Sequence, residues 1–564
     1  MACVEKYDIV VVGGGVCGTS AAAEAASALR EAGGEPQADG GNASPACRPR
    51  VALVCAGGEC VTVAERGARV TARAVEVGAR HAAVAEWAAK HGVCVVAGAA
   101  TAVDAAAGTI TVVGTGADDV RVIKYGKLCV ATGAAPRVPT AAYARHACVH
   151  YVRDAASVRE LASALRGNNG GGNGSGLSVL LVGNGGIAME LAAHLSQVGA
   201  SAGGVARVVW AVRTAADGGV GGAFFDRDAA AFMAQCLGAA SGGQEDMDDV
   251  CADGDICSRK RARRAGAPGA GWGGEAGREV QGADQDAEAH AHAPGEFHHA
   301  VGPKWTTMLP GGEGQGSDGG AAPTRARVRF ELAYGAELID LRDAPPGSGS
   351  RCVATISTGE AYGVDIVVCA TGVAPATQWL PECFERDADG GLLVDDLMRT
   401  SVDGVYAAGD ACSCARWARL REEGCHWFQW RLWSQAQALG AYCGRVMAGA
   451  SDEMALGFNF DLFTHVTEFL GLRVVLLGRY NAQGLEDVDA ADVVTYVRST
   501  PGEEFARVLL VRGKMQGAVL IGETDLAETY ENLIMDSIDL SRYGPAIMLP
   551  ETHPDGVDLE DFFD

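Results

Sequence analysis

Two glycine clusters in this chain have the spacing that receives phosphate. The first, Y-D-I-V-V-V-G-G-G-V-C-G, sets Gly13, Gly15 and Gly18 in G-x-G-x-x-G register, and the second, L-S-V-L-L-V-G-N-G-G-I-A-M-E, sets Gly183, Gly185 and Ala188 likewise. Such spacing lets the backbone turn sharply and approach a pyrophosphate, while unpaired N–H groups at the start of the next helix face the charge. Each cluster follows an apolar run that reads as a buried parallel strand and opens a helix, the context that gives the pattern its weight. Two A-T-G turns, at 131–133 and 370–372, and a V-Y-A-A-G-D string at 405–410 accompany them. Two bound dinucleotides, one flavin and one nicotinamide, are implied.

Positioning two such turns requires two βαβ units. At 564 residues and 48% hydrophobic, the chain has room for two or three domains. A formal net charge of −25 argues against a general nucleic-acid binder. No apolar run approaches about 18 residues, so no membrane span is expected; with a first strand beginning near Tyr7, no leader is expected either. The 18 cysteines then read as reduced, intracellular and mostly packing groups, as at Cys94, Cys129 and Cys369. A Gly/Pro-rich stretch at 33–50 interrupts the first unit, and a glycine-rich linker at 167–176 precedes the second. Residues 235–324, rich in Gly, Ala, Asp and His, read as a low-complexity insertion that contributes little core. W-F-Q-W-R-L-W-S-Q-A is predicted as an aromatic-rich helix, with Trp427, Trp430 and Trp433 at i, i+3 and i+6. The expected fold is α/β: two Rossmann-like dinucleotide-binding domains, for FAD and NAD(P)H, plus a C-terminal α+β domain. Their expected bounds are 1–155 with 371–457, then 156–370, then 458–564 with an acidic tail at 555–564.

The order of fingerprint, A-T-G-x-x-P, second fingerprint, second A-T-G and G-D resembles the pyridine nucleotide-disulphide oxidoreductase superfamily over nearly all of the chain outside the insertions. F-F-D at 224–226, G-P-K-W at 302–305, H-V-T-E-F and the terminal D-L-E-D-F-F-D are similar to a eukaryotic branch of it. The resemblance implies FAD at Gly13, Gly14, Gly15, Val16, Cys17 and Gly18, with Thr132 and Gly133 lining the flavin entrance. It places Gly409 and Asp410 at the ribityl–phosphate region, and a helix carrying Arg431, Trp433, Ser434 and Gln435 near the isoalloxazine ring. NADH or NADPH is implied at Gly183, Asn184, Gly185, Gly186, Ile187, Ala188 and Glu190, with Arg213 and Gly372 beside them. The flavin carries the chemistry, so no catalytic acid or base and no metal is expected. A protein partner is implied too: the catalytic subunit of a metal-dependent tRNA ligase, protected from oxidative inactivation. The acidic tail itself reads either as a solubilising end or as a docking peptide anchored by Phe562 and Phe563. The implied location is nucleus and cytoplasm.

The chain departs from the superfamily pattern at the redox dithiol. Aligned on G-G-E-C-V-T-V, Cys60 takes the first cysteine position and Glu65 the second, while Cys55 ends a strand where relatives hold an acidic ribose ligand. Electrons from the flavin are therefore expected to reach oxygen, a quinone or another protein, or to wait in a slowly cycling redox-gated sensor. In the second unit Val212 holds the acidic position with Arg213 beside it. A carboxylate there selects NAD and an Arg tolerates a 2′-phosphate, so loose NADH/NADPH discrimination is expected. The basic run at 258–264 reads as a nuclear-import signal, an RNA contact or a charge-balancing loop. His290, His292, His298 and His299 lack a preorganised metal geometry, His553 belongs to the tail, and Cys412 and Cys414 read as packing residues.

Overall fold

A computed structural model describes residues 5–32, 50–65, 69–114, 119–137, 140–166, 176–198, 204–214, 219–241, 257–260, 305–310, 328–421, 424–450, 460–549, 553–554 and 556–557. Three sheets organise them. In the first, Cys94–Ala97, Val51–Cys55, Glu5–Val12 and Val120–Val130 run parallel in that order, and Val405–Ala407 joins Val120–Val130 from far along the chain. Thr109–Val113 and Ala99–Asp104 complete it as an antiparallel edge. Glu5–Val12 is buried from Ile9 onward, which explains a nearly unbroken apolar run in place of alternation. The second sheet is wholly parallel: Val149–Tyr151, Ile366–Cys369, Leu177–Val182, Val205–Val212 and Arg329–Tyr334. The third is antiparallel and runs Cys257–Lys260, Val493–Thr500, Glu504–Val511, Lys514–Ile521, Leu472–Gly478, Thr464–Phe469. This is the α/β architecture with a further α+β unit read from the sequence.

The first unit is closed by a helix from the second half of the chain. Trp433–Met447 packs on Val16–Ala32 so tightly that a Cβ on Gly440 would come 2.2 Å from Cys17 O, and one on Gly444 would come 2.3 Å from Ala21 O. Only glycine permits that approach. The chain crosses between the first two units through a small antiparallel ribbon, Ala134–Pro136 with Val373–Pro375. The third sheet is tied to the second unit through F-F-D: Tyr480 Oη donates to Phe224 O at 3.0 Å, and Arg507 Nε lies 3.0 Å from Asp226 Oδ2.

Three expectations are corrected. Val149–Tyr151 pairs with Ile366–Cys369 in the second sheet, so the first crossing comes before Val149 and not at 155; a three-residue strand is too short to show periodicity. The aromatic run is not a helix until Trp433. Leu432 is extended (φ −120°, ψ 150°), and Trp427 and Trp430 fall in two different cores. The 235–324 segment does contribute core at its ends: the helix Arg227–Ser241 buries Cys236 and Leu237, and Trp305 and Leu309 are buried against the second unit. Low-complexity composition hid these few apolar anchors. The histidines at 290–299, Arg261–Arg264 of the basic run, and Phe562 and Phe563 lie outside the described residues.

Candidate functional site

The first fingerprint divides its labour among three glycines. Gly13 has φ +124°, and a Cβ there would stand 2.2 Å from Ala131 O, the start of the first A-T-G turn. A Cβ on Gly18 would fall 1.8 Å from Gly13 O. These two glycines allow the strand, turn and helix to touch. Gly15 is different, since its Cβ direction meets nothing within 4 Å. The space in front of the helix Val16–Ala32 is therefore open at the point where its N–H groups emerge. Val16 and Cys17 are buried behind it. Cys17 fills the space left by Gly409 (φ +67°), whose Cβ would lie 2.9 Å from Cys17 Sγ. Gly14 O accepts from Val61 N at 3.2 Å, and Thr19 Oγ1 donates to Val61 O at 2.8 Å, which ties the Glu59–Glu65 strand to the turn.

The second fingerprint repeats this geometry. Gly183 has φ +127° and its Cβ would stand 2.1 Å from Ala370 O, the start of the second A-T-G. Gly185 and Gly186 face open space at the start of the helix Gly186–Val198. Ala188, fully buried, replaces the third glycine, and Ile187 packs partly buried against the same core. Asn184 faces inward: its Oδ1 accepts from Gly221 N at 2.6 Å and its Nδ2 donates to Gly219 O at 3.1 Å. A backbone notch with a vacant Cβ direction at a helix N-terminus fits a dinucleotide pyrophosphate, and both fingerprints form one.

The two A-T-G turns latch the units together symmetrically. Thr132 Oγ1 donates to Ala376 O (2.7 Å) and Thr371 Oγ1 to Arg137 O (2.8 Å). Ala376 N donates to Gly133 O and Arg137 N to Gly372 O, both at 2.9 Å. The thresholds to both notches are thus set by one ribbon.

Asp410 sits half-buried in the 3-10 turn Gly409–Ala411; burial pushes its carboxyl up to about 6, against the pull of Arg431. Arg431 lies before the helix expected to carry it. It pairs with Asp389, and its Nε donates to Asp410 O at 3.3 Å. Gln435, expected near the flavin ring, is 6% exposed and used internally: its Oε1 accepts from Trp430 N (2.7 Å) and its Nε2 donates to Phe428 O (2.9 Å). Trp433 and Ser434 start the helix half-buried. Asp389 and Gln429 were not legible beforehand; Gln429 braces Cys414 N and Cys412 O from a non-repeating segment. Arg213 is exposed, 3.9 Å from Glu337, so the nearby carboxylate comes from the turn that precedes the strand Leu338–Asp343 rather than from position 212.

Cys55 ends its strand buried, its thiol donating to Gly57 O at 3.3 Å. Burial raises the Cys55 thiol above its usual range, and burial together with Cys55 pushes Cys60 up to about 11. A thiol reacts as its thiolate, and at neutral pH a group like Cys60 holds on the order of one part in ten thousand in that form. We expect Cys55→Ser with Cys60→Ser to change the rate of flavin reduction by NAD(P)H less than tenfold in stopped flow; a greater loss, above about 1.4 kcal/mol of barrier, would restore a dithiol role. Among the described residues no three His, Cys, Asp or Glu are grouped to hold a metal, and no helix is long and apolar enough to cross a membrane.

The comparisons with known proteins converge on the same elements. The profile of the pyridine nucleotide-disulphide oxidoreductase family matches residues 7–221 and 328–440. Pyridine nucleotide-disulfide oxidoreductase domain-containing protein 1 of Mus musculus is 34% identical over 467 residues, 79% of this chain and 80% of that protein. Its Drosophila melanogaster counterpart is 33% identical over 447 residues, 78% and 80%. Among solved structures, the covalent putidaredoxin reductase–putidaredoxin complex superposes with TM-score 0.60 at 13% identity, covering 99% of this chain and 98% of that one. An engineered water-forming NADPH oxidase bound to NADPH gives 0.57 at 14% identity, over 97% and 95%.

Proposed function

The chain belongs to the pyridine nucleotide-disulphide oxidoreductase family, and from that premise we propose that it is an FAD-dependent NAD(P)H oxidoreductase working without an active-site dithiol. Its cofactors are FAD and NAD(P)H. Bound in the two notches, they supply hydride transfer from the nicotinamide to flavin N5. The protein's own work is to bind and align. The N–H groups beyond Gly13 and Gly183 receive the two pyrophosphates. The Thr132 and Thr371 latches fix one unit against the other. Asp410, braced by Arg431, offers its carboxyl to the hydroxyl-bearing part of the flavin chain. The observation that carries the reading is the pair of open Cβ directions at Gly15 and Gly185, each at a helix N-terminus.

Two finer readings follow. With the Cys55 and Cys60 thiols raised, electrons on the flavin pass to an external acceptor or wait; the second case is a redox-gated binding protein. The partner we propose is the catalytic subunit of a tRNA ligase, kept from oxidative inactivation. Support comes from the acidic tail, where Phe562 and Phe563 are flanked by carboxylates suited to a metal-bearing or basic site. The basic run at 258–264 supports a nuclear as well as a cytoplasmic location. Anaerobic NADH should bleach the flavin colour, and an acceptor screen should then separate an enzyme cycling at roughly 1–10³ s⁻¹ from a slower sensor. A flavin that NADH and NADPH both fail to reduce would end the oxidoreductase reading. Removing residues 558–564 should abolish ligase capture while FAD content and flavin reduction stay unchanged; a truncated chain that still protects the ligase would leave the tail as a solubilising end.

A further inference from the structure

The 235–324 segment rejoins the fold on the helix that opens at the second notch. Trp305–Met308 form a 3-10 turn that leads to Pro310. Two contacts, one helical turn apart on Gly186–Val198, hold it: Trp305 Nε1 donates to Glu190 Oε2, and His194 Nε2 meets Pro310 O at 3.2 Å. Trp305 and Leu309 are buried, 4% and 1% exposed, so the turn is packed in place. Glu190 is half-buried; burial pushes its carboxyl up to about 7, and the indole N–H acts in the opposite direction. His194, the titratable neighbour on the same helix, is itself shifted down by burial, which favours its neutral form. Oε2 takes the indole, while Oε1 has no donor among the described residues.

We propose that Trp305 is a positioning residue of the nicotinamide-coenzyme site: by fixing Oε2 of the Glu190 carboxylate it leaves Oε1 to accept from N–H or O–H groups of the coenzyme. The inference rests on the second fingerprint taking NAD(P)H. Its chemistry has a definite sign. The carboxylate accepts hydrogen bonds at both oxygens and its protonated form does not, so coenzyme affinity is highest above about pH 7 and falls as the pH drops through it. Removing the indole donor leaves burial unopposed and moves that midpoint to higher pH.

Two measurements on the full-length FAD-loaded protein test this separately. With 5-fluorotryptophan incorporated and no nicotinamide added, the ¹⁹F resonance assigned through Trp305→Phe should titrate with a midpoint near pH 7, and should lose that titration in Glu190→Gln. A resonance unaffected by pH in the wild type overturns the pairing. In calorimetry, NAD⁺ should bind Trp305→Phe about tenfold more weakly at pH 7.5, with its affinity midpoint displaced upward; Glu190→Gln should bind weakly and without pH dependence over pH 6–9. Wild-type affinity and pH dependence in Trp305→Phe would overturn the positioning role. Glu190→Gln, which preserves the packing around Trp305, keeps the test decisive if Trp305→Phe lowers the melting temperature. If wild-type protein fails to bind NAD⁺ while the fluorine titration stands, the coenzyme reading of the notch has failed and the pairing has not.

Discussion

Gly15→Val is expected to give a soluble, colourless protein holding less than a tenth of the wild-type FAD. The position is open to a side chain, since a Cβ there meets nothing within 4 Å. The polypeptide should fold around it, with a melting temperature close to that of wild type stripped of its FAD. The valine then occupies the space in front of the Val16–Ala32 helix where a pyrophosphate must come to the backbone. A hundredfold loss of affinity corresponds to about 2.7 kcal/mol, a modest demand for steric exclusion from a phosphate cradle. Gly13→Val is the contrast. Its Cβ would strike Ala131 O at 2.2 Å in a backbone conformation of φ +124°, so that protein should be insoluble. The flavin-to-protein absorbance ratio after purification decides the matter, and a yellow Gly15→Val protein with one FAD per chain would remove the first notch as the flavin site.

The second large effect concerns the 235–324 segment. Removing 261–301 and bridging with a Gly/Ser linker should leave solubility and flavin content intact, because it spares the helix Arg227–Ser241, the edge strand Cys257–Lys260 and the Trp305–Pro310 anchor. Removing all of 235–324 should yield no soluble protein. That deletion strips out Cys236, Leu237, Trp305 and Leu309, all buried. Losing a buried Leu costs about 2–5 kcal/mol and a Trp about 3–5, against a total stability of about 5–15 kcal/mol. Soluble expression and melting temperature check both halves; equal behaviour of the two deletions would show that these ends are not integral to the core.

Much of the site was legible because dinucleotide turns are local. Gly13, Gly15 and Gly18 lie within one turn, their conformational demands are written in side-chain absence, and the same holds at Gly183 and Gly185. What escaped notice depends on chain crossings. Asp389 reaches Arg431, and Glu337 reaches Arg213, from segments with no periodic signal. Trp305 stood out only within the G-P-K-W string; a single apolar residue in a compositionally biased stretch leaves no pattern to show that it packs on Glu190. The aromatic run misled in the opposite direction. Its i, i+3, i+6 spacing mimics a helix face, yet Trp427 stacks on Trp417 in one core while Trp430 packs with Phe463 and Tyr480 in another. Burial demand in two separate places overrode helical propensity.

The glycine seam at Gly440 and Gly444 has a consequence for how this protein is made. The helix Val16–Ala32 emerges early from the ribosome, but the helix that covers its inner face is completed about 400 residues later. At about 5–20 residues per second, that interval lasts roughly 20–80 s. Throughout it, the small-residue face carrying Cys17 and Ala21 has no native partner, and the strand Val405–Ala407 has yet to join its sheet. Nascent chains of this protein thus carry an unfinished first domain through most of their synthesis. The second unit lies wholly between its two halves, so its strands can pair before the first domain closes.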